Sequence, residues 1–245
     1  MTNVPIEASQ QGRVLHLALN RAEKRNALNT QLCRALLEAF AQANADPGIG
    51  AILLSGNGPA FCAGMDLKEA LEKGDENLAD LHERLFSVIE RSRKPIIAAV
   101  QGAAIGGGTG LVANAHIVIA SPDARFGLTE VRIGLWPVMI FPAVVLAIGE
   151  RRATELSITG RFFDAAEAHR YGLVTEISDT PLEHARTRAA EIAGFSANAM
   201  SLGLGYSRRI RNMPWKEACE EGRRTRAELM AHPDFAKGVA SFFRK

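Results

Sequence analysis

The stretch KPIIAAVQGAAIGGGTGLV, Lys94 to Val112, runs from an unbroken apolar segment straight into a cluster of glycines. Residues 95–102 are short, apolar and bounded by Pro95 and Gly102, the pattern of a strand buried on both faces. Gly106, Gly107 and Gly108 follow, and GGTGLVANA beyond them reads as a helix. Glycine weakens regular structure, so a cluster between strand and helix means a sharp turn or a close approach by something else. A helix N-terminus presents unpaired N–H groups and the positive end of a dipole, and glycines there let an anionic group reach them. The anion is either a phosphate or an oxyanion. GTGLVA fits the G-x-G-x-x-A form of the dinucleotide fingerprint. However, Gly102 to Gly107 separate it from the strand, and no acidic residue closes a following strand at the expected distance. The GxxxxGK[ST] phosphate loop is absent. An oxyanion site needs a second donor. GNGPAFCAGMDL, Gly56 to Leu67, offers one: it leaves the apolar strand AILLS, turns on glycines and enters a new helix near Asp66.

Outward from this centre the pattern alternates. GRVLHLALN reads as a strand and NTQLCRALLEAFAQANADP as an amphipathic helix, capped by Asn29 or Thr30 and stopped by Asp46-Pro47-Gly48. GAILLSG is a buried strand, DENLADLHERLFSVIERSRKP a second amphipathic helix, and AHIVIASPDARFGL holds one or two further strands. Strands alternating with helices predict an α/β architecture with parallel pairing. From Pro181 onward only helices are read, so the chain divides into a core over 1–180 and a helical region over 181–245. Packing on the core and an oligomer interface are both open for that region.

The 245 residues are 47% hydrophobic and 23% charged, enough to bury a core without staples. A net charge of +2 gives no case for nucleic acid or an anionic membrane. Three scattered cysteines, Cys33, Cys62 and Cys219, have no metal or redox spacing and fit a reducing compartment. The start lacks a signal-peptide pattern and no window is apolar for long enough to span a bilayer, so a cytoplasmic protein is expected, with no bound metal.

Five segments, LNRAEKRNALN, FCAGMDL, KPIIAAVQGAAIGGGTGLV, ARFGLTE and TGRFFDAAEAHRYGLV, together resemble the enoyl-CoA hydratase/isomerase family, the crotonases, in order and spacing. The resemblance runs from about Arg13 to the C-terminus. It implies a spiral of β-β-α units with a C-terminal helical trimerisation region, and a homotrimer or dimer of trimers. It implies acyl-CoA thioester substrates, with coenzyme A as part of the substrate and no separate cofactor. Carried over by position, the backbone amides of Met65 and Gly107 form the oxyanion hole and Glu130 is the catalytic carboxylate. Lys24, Arg25, Ala27, Ala63, Asp66, Leu67 and Gly106 line the substrate, and Phe242 reaches the CoA pocket.

Two departures carry information. Family hydratases have a first glutamate where this chain has Gly110, so one carboxylate of the pair is missing. After Glu130 the segment VRIGLWPVMIFPAV is apolar rather than glycine-rich, and Trp136, Met139, Ile140 and Phe141 either pack the next helix or line a pocket that excludes water. Both departures point to a single-base isomerase that moves the double bond of a 3-enoyl-CoA to the 2-position through an enolate. Hydratase, decarboxylase or thioester hydrolase chemistry and a non-catalytic CoA-thioester binder are the alternatives. Glu130 paired with Arg132 at the surface is the structural alternative at that position.

Overall fold

The computed structural model of the chain describes residues 4–73 and 76–243. In chain order the elements are β1 (Ile6–Gln11), β2 (Val14–Leu19), α1 (Thr30–Ala45), β3 (Ala51–Gly56), α2 (Leu67–Lys73), α3 (Glu76–Phe86), α4 (Val88–Arg91) and β4 (Ile96–Val100). Next come β5 (Ala103–Ile105), α5 (Gly107–Ala113), β6 (Ile117–Ala120), β7 (Arg125–Gly127), α6 (Phe141–Ile148), α7 (Glu150–Thr159), β8 (Phe162–Asp164), α8 (Ala165–Tyr171) and β9 (Glu176–Ile177). The chain closes with α9 (Pro181–Ala193), α10 (Ala197–Arg209), α11 (Trp215–Ala231) and α12 (Pro233–Phe242).

The strands form a six-stranded sheet in the order β1-β2-β3-β4-β6-β9 and a three-stranded sheet β5-β7-β8. The strand read at the centre of the sequence is β4, and it sits between β3 and β6 in parallel register. Its alternation is resolved by the two faces of the sheet. Ile96, Ala98 and Val100 enter the main core under α1 and α5, whereas Ile97 and Ala99 enter a second core with Ala185, Ala189 and Ala193 of α9. A sheet covered on both faces needs no polar alternation, which is why β3 and β4 read as continuous apolar runs.

Three features differ from the sequence expectation. β1 pairs antiparallel with β2 at the edge, and its exposed polar residues carry no strand signal. The helix expected through residues 75–95 breaks at Ser87 into α3 and α4, and Asp75 lies outside the described residues. Finally, α9 is no appendage: it packs on β3, β4 and β6, so the core runs through residue 193 rather than ending at 180.

Candidate active site

The loop after β3 is held from two sides. Cys62 donates its amide to Ala103 (3.0 Å) and accepts from the Ile105 amide (3.0 Å), which docks it on β5. On the other side, Ala63 donates to the Arg25 carbonyl (2.9 Å), Leu28 donates to Gly64 (2.7 Å) and Asp66 donates to Leu28 (3.0 Å). The segment carrying Lys24, Arg25 and Ala27 is therefore zipped against the loop carrying Met65. Arg21 braces the same junction, donating to the Ala27 carbonyl and pairing with Asp66 at 3.0 Å. Burial alone would raise the Asp66 pKa, but the hydrogen bonds from Arg21 and the Glu69 amide outweigh it and hold the carboxyl low. Asn26, fully buried at φ 56°, accepts from the Arg21 amide (2.9 Å) and donates to the Asn57 and Ala60 carbonyls.

This bracing brings two amides to one place. Gly64 has φ +93°, and a Cβ on it would fall 2.7 Å from the Ile105 carbonyl oxygen and 3.4 Å from the Gly107 nitrogen. Only glycine lets the two loops approach so closely. Gly106, at φ 54° and ψ −118°, reverses the chain into α5. Among the described residues the Met65 and Gly107 amides donate to no acceptor in the chain, while those of Leu28, Asp66, Gly106 and Gly110 all do. Two free donors on adjoining loops, one at a helix N-terminus, are the arrangement that a site for developing negative charge on oxygen requires.

A cavity of about 380 Å³ opens over these donors. Its floor is Ala63, Gly64, Met65, Gly106 and Gly107, and one wall is Leu67, Ala70, Ala79, His82 and Phe86. A second part of the lining runs from Thr129 and Glu130 through Ile133 and Leu135 to Ile140. Trp136 and Met139 thus line the cavity, while Phe141 starts α6 and meets Trp136 with ring centroids 6.1 Å apart. Of the apolar segment, Phe141 packs in the next helix while Trp136 and Met139 are lining residues that remain partly exposed.

Glu130 opens the short 3-10 turn Glu130–Ile133, with its Oε1 close enough to Gly106 that a Cβ there would lie 3.0 Å away. Its Oε2 is buried without a hydrogen-bond partner. Burial pushes its pKa above the ordinary carboxylate value, opposed only by its own backbone amide. Arg132 does not neutralise it: that guanidinium stacks over Phe162, 4.8 Å from the ring centroid. Cys62, fully buried, has its thiol pushed up to about 12 by burial and is no nucleophile.

Two expected positions lie elsewhere. Gly110 does not line the cavity: it is buried inside α5, and a Cβ there would strike Ile140 Cγ2 at 2.3 Å and Phe86 Cδ1 at 3.1 Å. The space of the missing carboxylate is filled by hydrocarbon. Phe242 sits on α12, 76% exposed, against a separate surface groove. Within one chain it does not reach the cavity, whose lining includes no residue of α10–α12. The side chains of Lys24, Arg25, Ala27 and Asp66 stay off the cavity wall, on the strip beside it.

His82 carries no signal at the level of sequence, since one histidine on an amphipathic helix reads as a polar-face residue. It is only 6% exposed and its ring lies 5.3 Å from that of Phe86. Thr109 is buried in α5. Its hydroxyl donates to Ala104 (2.7 Å) and takes the Gly127 amide (3.3 Å), fixing α5 to β5 and β7. Asn114 donates to the Phe86 and Gly110 carbonyls (2.9 and 3.0 Å) and accepts from Ile89, which holds Phe86 at the break between α3 and α4.

The enoyl-CoA hydratase/isomerase family profile matches residues 9–245. A probable enoyl-CoA hydratase of Rhizobium meliloti (strain 1021) is 39% identical over 240 residues, spanning 96% of this chain and 93% of that protein. The 2,3-dehydroadipyl-CoA hydratase of Escherichia coli (strain K12) is 32% identical over 241 residues, 97% of this chain and 94% of its own. A solved enoyl-CoA hydratase/isomerase (crotonase) structure from Legionella pneumophila subsp. pneumophila str. Philadelphia 1 superposes with a TM-score of 0.91 at 33% identity. That match spans 100% of this chain and 97% of that one. Among the described residues no helix is long and apolar enough to cross a membrane.

Proposed function

The chain belongs to the enoyl-CoA hydratase/isomerase family, and on that premise we propose that it moves the double bond of a 3-enoyl-CoA to the 2-position with Glu130 as its single carboxylate base. The observation that carries this reading is the Glu130 carboxylate, buried, unpaired at Oε2 and set against Gly106 beside the two free amides. The thioester oxygen sits between the Met65 and Gly107 amides. Glu130 takes the proton from C2, the electron pair moves into an enolate whose charge those amides hold, and Glu130-H returns the proton to C4. The acyl chain lies among Leu67, Trp136 and Met139, apolar side chains that line the cavity. CoA runs along the zipped strip, with Lys24 and Arg25 beside its phosphates, and no further cofactor is required.

A second reading, hydration of a 2-enoyl-CoA, is favoured by the names of the relatives. The discriminating experiment gives wild type and Glu130→Gln both a 3-enoyl- and a 2-enoyl-CoA. Wild type isomerises the first, and Glu130→Gln loses about 100-fold or more of that rate, the usual weight of a positioned base. Because the base must be ionised and its pKa is raised, kcat/KM climbs with pH above the normal carboxylate range and falls away below it. Isomerisation by Glu130→Gln at the wild-type rate, or a wild type that cannot isomerise, overturns the assignment.

A further inference from the structure

Glu130 has only one ionisable companion among the described residues that line the cavity, and that is His82. It stands on α3, one turn before Phe86. Phe86 itself reaches the oxyanion site, since a Cβ on Gly107 would lie 3.1 Å from its ring. The His82 ring lies 5.3 Å from the Phe86 ring. An imidazole is thus set on the α3 wall, one aromatic ring away from the donors that would hold the thioester oxygen. The wall that carries Glu130 belongs to a different segment of chain. A solvated polar-face histidine would be exposed, yet His82 is buried, with only 6% of its surface exposed. The place where a second carboxylate would emerge, Gly110, is closed by Ile140 and Phe86. An acid–base group acting on the acyl chain from outside the Glu130 wall therefore comes from α3.

We propose that His82 is a second catalytic acid–base group, and that with it the cavity also adds water to a 2-enoyl-CoA. The inference rests on reading the cavity as an enoyl-CoA site with Glu130 at the reacting carbons. In the added reaction, neutral His82 accepts a proton from a water molecule as the water oxygen bonds to C3. The C2=C3 π pair moves into the thioester enolate at the Met65 and Gly107 amides. Collapse of the enolate takes a proton from Glu130-H to C2. The His82 proton then leaves through solvent and Glu130 is reprotonated, so the sum is one water added and nothing oxidised or reduced.

The test measures both activities in the same preparations: hydration of crotonyl-CoA and isomerisation of 3-hexenoyl-CoA, for wild type, His82→Gln and His82→Ala. Wild type is expected to hydrate. His82→Gln should lose about 100-fold of that rate, the typical share of a general base, and its ratio of hydration to isomerisation should fall at least about tenfold. His82→Ala should regain hydration when free imidazole is added, which a purely structural loss would not show. A wild type that isomerises but does not hydrate overturns the His82 role and leaves the Glu130 reading standing. A wild type that hydrates but does not isomerise overturns the isomerase reading alone and leaves the His82 role standing, since Glu130-H still supplies the C2 proton in hydration. Equal loss of both activities in His82→Gln, without rescue of His82→Ala by imidazole, also overturns the proposal.

Discussion

Gly110 shows how one residue can be read in two ways. As a sequence position it marks a carboxylate that is absent. In three dimensions it marks a volume already taken, with Ile140 Cγ2 2.3 Å and Ile140 Cβ 2.8 Å from where a Cβ would stand. Replacing a glycine inside an unconstrained helix by alanine gains about 1 kcal/mol. Forcing a methyl into a filled core costs about 1–3 kcal/mol. With two Ile140 atoms inside contact distance, overpacking wins, so Gly110→Ala should lower stability in chemical denaturation. In an Ile140→Ala background the same change should cost less, because the Cγ2 branch at 2.3 Å is gone while the residue-140 Cβ at 2.8 Å and Phe86 Cδ1 at 3.1 Å remain, and the two residues are coupled directly. Equal destabilisation in both backgrounds would remove Ile140 as the cause. Gly110→Glu adds a carboxylate to the same collision, so it is expected to unfold the chain rather than to restore a hydratase pair.

At the scale of elements, the junction between α5 and β6 is set by His116, whose amide donates to Ile96 (2.8 Å) while its Nδ1 accepts the Ile96 amide (3.0 Å). An accepting Nδ1 must be unprotonated, and burial lowers this pKa to about 4, with Arg208 adding to the shift. The folded pKa lies below the unfolded value of about 6.5, so the unfolded chain binds the extra proton. The stabilisation is therefore complete above about pH 6.5 and fades as pH falls toward the folded value, by about 1–2 kcal/mol at pH 5. Thermal melts of wild type and His116→Gln at pH 7.5 and pH 5 test this. The wild type should lose more between the two, and parallel losses would exclude His116 as the titrating group. The same junction shows what the sequence could convey. β3 and β4 were legible because burial on both faces leaves an unmixed apolar run, and α1 because Asn29 caps it, accepting from Leu32 at 2.9 Å. β1 was not, since an edge strand exposed to solvent has no apolar code. The break at Ser87 was not either, because it depends on Asn114, 27 positions downstream. In the site, the glycine-rich loops announced themselves through backbone demands that only glycine meets. His82 and the Ile140 plug depend on which side chains meet across the fold, and local pattern does not encode that.

The whole molecule ends in an arm. α10 has no buried residue, and its hold on the core is polar: Arg208 donates to the Ser92 carbonyl (2.9 Å) and Arg211 pairs with Glu90 (2.8 Å). α12 likewise buries nothing, and Phe235, Val239, Phe242 and Phe243 border an apolar groove shared with Met230. Trp215, at the start of α11, is 85% exposed. Isolated exposed apolar residues are ordinary, but a contiguous apolar patch on adjoining helices is the usual mark of an association surface. We propose that three copies of the chain assemble through α10–α12, in accord with the trimerisation region that the family resemblance implies, and that Phe242, remote from its own cavity, serves at this interface. Light scattering at micromolar concentration should return three times the chain mass, or six times if two trimers stack. Val239→Glu and Phe243→Glu, each placing a charge on the patch, should shift the population toward monomer while far-ultraviolet circular dichroism stays that of a folded α/β chain. A wild-type monomer under these conditions would refute the assembly. A trimer unmoved by either substitution would place the interface on another face of the molecule.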